Sequence, residues 1–192
     1  PTVLQNMRVK RVAVPAGMEK QPVLTRKVGT VNQPQIIPVT DQHPNIDPNL
    51  KILHPFAPGE AKNEDSMVLT GRFGGKQFVF TGDLDRAGER AVLEHYPGLH
   101  ADVLKLGHHG SRTASDERFL DRLHPQWGII SAGRFNRYHH PNDEVVTSLR
   151  QRQIRILSTQ QYGMIRYVYT RQHGLWQTTL KGEELKWTLP NC

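Results

Sequence analysis

The sequence predicts a single mixed α/β domain. The order of its apolar runs supports the class, and its length and apolar fraction support one domain with a core. Apolar residues cluster into short runs of strand length, and segments of helical pattern lie between several of these runs. The length of 192 residues suits one domain. An apolar fraction of 36% is low for a globular chain but sufficient for a core.

The amino-terminal quarter has the weakest pattern. Its first residues read as the end of a helix that runs into a strand at Val9–Val14. Residues 21–49 are rich in Pro, Gln and Asn, and we expect them to form strands and loops of an irregular connection. From Lys51 the pattern sharpens, with a short strand in KILHP followed by the runs MVLTGRF and KQFVFTGD. The intervening Gly74-Gly75 predicts a hairpin, because a tight turn requires positive φ angles.

The remainder of the chain alternates between helical and strand patterns. Ser115 is the expected N-cap of its helix, with Asp116 and Glu117 in the first turn, where carboxylates suit the helix dipole. The predicted helices are Arg86–Tyr96, Ser115–Leu123 and Pro141–Arg152, and the predicted strands are Asp102–Leu106, WGIISAG, IRILST, MIRYVYT and LWQTTL. The last two strands are expected to pair across Arg171–Gly174, with Trp176 and Trp187 as packing residues at the sheet edge.

Composition narrows the function classes. The net charge of +7 and the pI of about 9.8 favour an anionic partner, such as nucleic acid, an anionic membrane surface or an acidic substrate, although they also fit an ordinary basic soluble protein. Cys192 is the single cysteine, which excludes an internal disulfide and a cysteine-based zinc site. No run approaches the roughly 18–20 apolar residues that cross a bilayer, so we expect a soluble chain without a membrane span.

Metal-competent side chains follow three predicted strands. Asp83 ends FVFTGD, His108 and His109 end DVLKLGHH, and His139 and His140 follow GIISAG. Each has an ordinary explanation, because an Asp often caps the next helix and a His pair is often a surface feature. Residues beyond the carboxyl ends of strands converge at one sheet edge, however, and the joint pattern predicts a metal site. Carboxylate and imidazole without thiolate suit zinc, manganese or iron.

Neighbouring polar residues suggest an anionic ligand. Ser111 offers a hydroxyl to a phosphate oxygen, and Asn136 and Arg137 supply a donor and a cation beside the metal. Several residues have two alternative roles. Phosphate contacts or solvated charges are the alternatives for Lys105, Arg112 and Arg134. Tyr138 and Phe135 could stack on bases, and Phe135 could instead be a core residue, while His43 and His54 are either ligands or hydrogen-bonding loop residues.

The ordered strings NEDSMVL, FTGD, ADVLKLGHHGS, GIISAG and NRYHHP resemble the metallo-β-lactamase-type domain of the ComEC family of bacterial competence proteins. The similarity runs from about Lys51 to Gly163. The HHGS and NRY-x-HP strings are fairly specific to this family, whereas TGD is common across the superfamily. The family usually has Gly where this chain has His139, which leaves open whether His139 or His140 points inward.

The resemblance implies a metallo-β-lactamase-like αββα sandwich. It also implies two divalent metal ions, manganese or zinc, with Asp83 bridging them as a catalytic residue. His108, also catalytic, or His109, together with His140, would supply further metal ligands. The superfamily's His-x-His-x-Asp-His cluster is absent from the sequence. We therefore expect residues 1–192 to be one partial domain that lacks the amino-terminal part and most ligands of the second ion, with the metal-site half at about 51–163.

The resemblance further implies a nuclease that degrades one DNA strand during DNA uptake. Single-stranded DNA is the expected partner, together with a membrane-embedded channel portion of the same polypeptide. The domain is expected at the outer face of the bacterial cell membrane. Two alternatives stay open at this point: a metallo-hydrolase of small esters, lactones or phosphodiesters, and a truncated, inactive module that only binds nucleic acid.

Overall fold

The computed structural model describes residues 6–28, 34–43, 47–170, 174–180 and 185–187. Its strands are β1 Arg11–Pro15, β2 Gln35–Val39, β3 Leu50–His54, β4 Val68–Phe73, β5 Lys76–Phe80, β6 Val103–Lys105, β7 Trp127–Ile130, β8 Arg155–Ser158, β9 Ile165–Tyr169, β10 Gly174–Thr178 and β11 Leu185–Trp187. Its α-helices are α1 Pro22–Val28, α2 Arg86–His95, α3 Glu117–Leu123, α4 Asp143–Gln151 and α5 Thr159–Tyr162. The predicted α/β class is confirmed at this level.

A six-stranded sheet occupies the centre, with its strands in chain order from β3 to β8. The pairs β3–β4 and β4–β5 are antiparallel, and β5 to β8 are parallel. The predicted β4–β5 hairpin is confirmed, since Gly74 and Gly75 both have positive φ angles, +55° and +78°. Helices α2, α3 and α4 form the connections between successive parallel strands.

The two faces of this sheet carry separate cores. On one face, Val79 and Leu104 of the sheet pack with Val92, Phe119 and other buried apolar residues of the helices. On the other face, strand residues including Trp127 pack with Trp176 of β10, whose side chain is 3% exposed. The antiparallel sheet β11–β10–β9 supplies this second cover. Trp176 therefore packs on the sheet face rather than at its edge, and the Trp187 side chain lies outside the described part.

A parallel pair, β1 and β2, lies beside the central sheet. The Ala16 N–H donates to the Val39 carbonyl, and the Ala16 carbonyl accepts from Gly59 N–H at 2.9 Å. Tyr96 at the end of α2 donates its hydroxyl proton to Asp41 Oδ2, at 3.0 Å. These contacts join the pair to the segment between β3 and β4 and, through Asp41, to the end of α2.

Several predicted boundaries change in the structure. Residues 22–28 form helix α1, so the expectation of only strands and loops over 21–49 is wrong there; Pro22 occupies the first helical position, where a missing N–H costs nothing. The strand predicted at Val9–Val14 is Arg11–Pro15, and residues 1–5 of the predicted helix end lie outside the described residues.

The N-cap of α3 is Asp116, which accepts from Arg118 N–H at 3.0 Å, and not Ser115. Ser115 has a φ of +61° and its N–H is bound by the buried Glu89 carboxylate at 2.9 Å. Its conformation and its hydrogen bond therefore place it before the cap, and the prediction of Ser115 as cap is wrong.

Candidate functional site

The carboxyl ends of β5, β6 and β7 meet at one edge of the central sheet. The loops that follow carry Asp83, the pair His108 and His109, and His140. Because these strands are parallel and adjacent, their following loops lie side by side, and the ring centroids of His108 and His140 are 5.7 Å apart. The sequence-predicted residues are therefore brought together, while their chemical roles stay predictions.

Asp83 and His109 face each other. The His109 Nδ1 donates to the Ser131 carbonyl at 2.5 Å, so in this tautomer the Nε2 carries the free lone pair. That Nε2 lies 3.7 Å from Asp83 Oδ1, and both side chains are about half exposed, at 47% and 43%. A metal-binding histidine typically makes this kind of hydrogen bond with its other nitrogen. The capping explanation of Asp83 does not apply, since Asp85 caps α2 by accepting from Gly88 N–H at 2.8 Å.

The backbone of the His-His pair is unusual. His108 and His109 have φ angles of +43° and +59°, a left-handed conformation that costs energy in residues with a side chain. The His108 N–H donates to the Gly82 carbonyl at 3.1 Å, which joins this loop to the one that carries Asp83. Gly110 has a φ of +81°, and an added Cβ there would lie 2.7 Å from Cβ of Pro141. Only glycine fits between the two histidine loops at this point.

His140 points inward and His139 does not. His139 is exposed, whereas the ring of His140 stacks on Tyr138 at 5.8 Å between ring centroids, with 18° between the ring planes. The Nδ1 of His140 is buried and lacks a hydrogen-bond partner among the described residues. Burial lowers the pKa of His140, and the nearby His108 and His109 lower it further. The lowered pKa favours the neutral form of the His140 ring.

Asn136 holds the loop that presents His140. Its Oδ1 accepts from His140 N–H at 2.8 Å, and its Nδ2 donates to the His140 and Gly133 carbonyls at 2.7 and 2.8 Å. Gln160 of α5 donates to the same two carbonyls at 2.8 and 3.0 Å. The structure thus gives Asn136 a positioning contact with the backbone, and its role as a donor to a ligand stays a prediction.

The predicted phosphate contacts have different exposures. Ser111 is 4% exposed and its hydroxyl pairs with Thr113 Oγ1 at 3.0 Å. Arg137 is exposed, with its guanidinium 4.7 Å from the ring centroid of Tyr138. Lys105 is half-buried at the end of β6; burial lowers its pKa, and the charge of Asp83 opposes that shift.

The loop before β4 supplies residues that sequence reasoning did not assign a role. Ser66 Oγ accepts from Asp83 N–H at 3.2 Å, and Asn63 Nδ2 lies 3.4 Å from His108 Nδ1. His54 is buried and its Nδ1 donates to the Ser66 carbonyl at 2.8 Å, which is the hydrogen-bonding alternative for this histidine. The string NEDS contains Asn63 and Ser66, but only the return of β4 beside β5 shows that they reach this edge.

The side chains at the site are of the types that bind metal ions, but few of them lie close together. Asp83 offers carboxylate oxygens, and His109 and His140 offer imidazole nitrogens, which are ligands for zinc or manganese. Across the described ranges, no three His, Cys, Asp or Glu side chains group closely enough to hold an ion by themselves. The orphaned Nδ1 of His140 and the fixed tautomer of His109 are the observations that agree with a ligand role.

Comparisons with known proteins identify relatives over most of the chain. It is 37% identical over 177 residues to ComE operon protein 3 of Bacillus subtilis, covering 90% of this chain and 23% of the relative. It is 37% identical over 134 residues to Competence protein ComA of Neisseria gonorrhoeae, covering 67% of this chain and 18% of the relative. Recombination protein 2 of Haemophilus influenzae is 31% identical over 106 residues, covering 55% of this chain and 13% of the relative. No model of a protein family matches the chain.

The chain spans about a quarter or less of the length of these relatives. Within the described segments, no helix is both long and apolar enough to cross a membrane. The relatives are named for competence and recombination, and the matched region includes the loops that carry Asp83, His109 and His140, since it covers nine-tenths of the chain in the Bacillus case. The chain belongs to the ComEC family of competence proteins, as a ComEC-type domain.

Proposed function

We propose that this chain forms part of a metal-dependent nuclease that hydrolyses phosphodiester bonds of DNA during DNA uptake. The observation that carries the proposal is the pairing of Asp83 with His109, whose Nδ1 bond to Ser131 directs its Nε2 to the carboxylate 3.7 Å away. The names of the relatives support DNA uptake as the setting. In this proposal the central sheet and its helices are the second half of a metallo-β-lactamase-like αββα sandwich.

The residues of the chain divide into two roles. Asp83, His109 and His140 would hold divalent metal, manganese or zinc, with His108 beside them and the remaining ligands supplied by polypeptide outside this sequence. Bound metal would supply Lewis acidity and an activated water. Lys105 and Arg137 would attract the phosphate groups, and the lowered pKa of His140 favours the neutral ring that metal binding requires. The setting in this proposal is the outer face of the bacterial membrane, joined to a channel portion of the same polypeptide.

The test is manganese-dependent cleavage of labelled single-stranded DNA by the full-length protein to which this chain belongs. We expect cleavage by the natural protein and a loss of at least about a hundredfold with Asp83→Asn, which keeps the side-chain shape but removes the charge. The matched control is Asp121→Asn, an exposed carboxylate on α3 that pairs with Arg152 at 2.7 Å. Folded, metal-loaded protein without cleavage would overturn the nuclease proposal, and cleavage unaffected by Asp83→Asn would remove Asp83 from the site.

A further inference from the structure

The loop of residues 133–140 carries a strongly exposed aromatic side chain. Phe135 is 96% exposed, and Tyr138 in the same loop is 59% exposed. The core alternative for Phe135 is therefore wrong. Burying a phenylalanine contributes roughly 1.5–3 kcal/mol, so a ring held out in water gains stability only when something covers it.

The exposed ring stands on an ordered base. Asn136, directly beside Phe135, holds the backbone of the loop through its bonds to Gly133 and His140, and Gln160 bonds to the same two residues from α5. These hydrogen bonds fix the loop that presents the ring. A ring carried on a fixed loop loses little conformational freedom when a ligand stacks on it.

The charges around the ring are positive. Arg134 and Arg137 flank Phe135, and both are exposed. A cavity of about 550 Å³ opens beside them, lined by Arg134, Phe135, Arg137, His139, His140 and Gln160 among others, and the described residues that line it include no carboxylate. An anion would enter this space without meeting a like charge.

The cavity borders the candidate site at His140. This residue lines the cavity and lies 5.7 Å, between ring centroids, from His108. Tyr138 stacks on His140, and Arg137 lies over Tyr138. His140, Tyr138 and Arg137 are thus in contact in that order, and Phe135 lines the same cavity as His140 and Arg137.

The combination of an exposed ring with two exposed arginines matches one class of ligand. Aromatic faces accept nucleobases, and guanidinium groups bind phosphates, so a strand that carries both groups suits this surface. A base can stack on Phe135 only when it is unpaired, because duplex bases are already stacked on their neighbours. We infer that the 133–140 loop binds single-stranded DNA, with a base stacked on Phe135 and the adjoining phosphates held by Arg134 and Arg137. The inference rests on the proposed function for the identity of the nucleic acid and extends it by assigning the residues that stack on a base and hold the adjoining phosphates.

The experiment measures binding of this chain to a fluorescent single-stranded DNA oligonucleotide by anisotropy in EDTA. We expect Phe135→Ala to weaken binding about 5- to 50-fold, the equivalent of one base-stacking interaction, and Phe135→Trp to restore it. Tyr169→Ala is the matched control, because Tyr169 is 49% exposed but lies beside Gly74 at the opposite end of the sheet. Equal affinity of Phe135→Ala and the natural chain for the single strand would overturn the inference.

Two further arms separate stacking from charge. An oligonucleotide of abasic nucleotides should bind the natural chain and Phe135→Ala equally, and so should a duplex. In a plot of the logarithm of the binding constant against the logarithm of the salt concentration, Arg134→Gln should reduce the slope by about 0.7 for each phosphate that the variant no longer neutralises. Arg118→Gln on α3 makes the same charge change and should leave the slope unchanged. A Phe135 effect that persists on abasic DNA would contradict base stacking.

These results are distinguishable from those of the nuclease test. Binding in EDTA involves neither metal nor hydrolysis. If the protein does not cleave DNA but its binding depends on Phe135, only the proposed nuclease activity is overturned. Asp83-dependent cleavage with Phe135-independent binding would sink this inference alone.

Discussion

Neighbouring histidines of this chain differ in ways that only their backbone and contacts reveal. His139 is exposed, while His140 next to it is turned inward against Tyr138 and His108. In the other pair, His109 faces Asp83 and His108 contacts Thr113 and Asn63. Two adjacent histidines are too short a stretch to show a periodic pattern, so the sequence does not indicate which member of each pair points inward.

Removal of one imidazole tests the ligand assignment. We expect His109→Ala to lower manganese or zinc affinity at least about tenfold in isothermal titration calorimetry of the full-length protein, because the variant lacks the imidazole that we propose as a ligand and whose tautomer is fixed. His139→Ala, which removes an exposed imidazole from the neighbouring loop, should change the affinity less than about twofold. Equal losses of affinity in both variants would contradict the assignment of His109.

Glu89 is a buried acid on α2 that should make the unfolding free energy depend on pH. Its carboxylate accepts from Ser115 N–H at 2.9 Å and from Asp116 N–H at 2.6 Å, and its side chain is 1% exposed. Burial raises its pKa to about 7, although the two backbone donors favour the charged form. The acid is therefore more easily protonated in the folded chain than in the unfolded one.

The sign of the pH effect follows from this raised pKa. The stability that Glu89 contributes is fully present below the unfolded value near 4.5 and is lost as the pH rises through about 7. Between pH 5 and 8 we expect the natural chain to lose about 2–3 kcal/mol of unfolding free energy relative to Glu89→Gln, which cannot ionise. Urea denaturation across this range measures the difference, with Glu94→Gln, exposed on the same helix, as control. Parallel pH profiles for the natural chain and Glu89→Gln would show that the acid stays ionised.

At the scale of elements, patterns of apolar residues predicted the strands of the central sheet and the helices that connect them well. The Gly74-Gly75 turn, the strands that precede Asp83 and His108, and the strand that begins at Trp127 all lie where periodicity and turn chemistry put them. These signals are local, since period and positive φ are properties of a few consecutive residues.

Caps and loop conformations that depend on distant partners were missed. Asn142 precedes α4, but its side chain accepts from Arg112 N–H at 2.8 Å instead of capping the helix. Ser115 is displaced as a cap because Glu89, on another helix, binds its N–H. Phe135 is 96% exposed, and the loop that carries it is held by Asn136 bonding across the loop. Such contacts depend on the folded arrangement, which local periodicity does not describe.

The loop 133–140 offers a prediction at this scale. In Asn136→Ala, the His140 N–H no longer has its acceptor, so its hydrogen exchange should accelerate by about tenfold or more. The Leu106 N–H, which donates to the Ile129 carbonyl at 2.9 Å inside the sheet, should exchange as before. Asn49→Ala, an exposed asparagine before β3, is the matched control. Unchanged exchange at His140 would mean that Gln160 alone holds the loop.

For the whole molecule, stability comes from two cores on opposite faces of one sheet. Trp176 fills the second core against Phe78 and Trp127, at ring-centroid distances of 6.3 and 5.7 Å. Among the described side chains, Trp176 is the buried one that the cover sheet β9–β11 contributes to this core, and Ile165 and Tyr167 pack beside it partly buried.

Truncation of the Trp176 side chain should lower the stability of the whole fold. We expect Trp176→Ala to lower the unfolding free energy by about 3–5 kcal/mol, since a large core cavity is left. Met164→Ala, at a residue 59% exposed just before β9, should stay within about 0.5 kcal/mol. Denaturant midpoints by circular dichroism provide the measurement, and a decrease below about 1 kcal/mol for Trp176→Ala would indicate that the second core contributes little.

The chain-ordered central sheet has a consequence for synthesis on the ribosome. Because each strand from β4 to β8 pairs with the strand made just before it, every newly emerged segment finds its partner already present. The loops that hold Asp83, His108 and His140 are made in the same order and dock in turn as β6, β7 and β8 join the growing edge. Nascent chains arrested at successive lengths should therefore gain protease protection one strand at a time, and the edge that carries these loops should be assembled before translation ends.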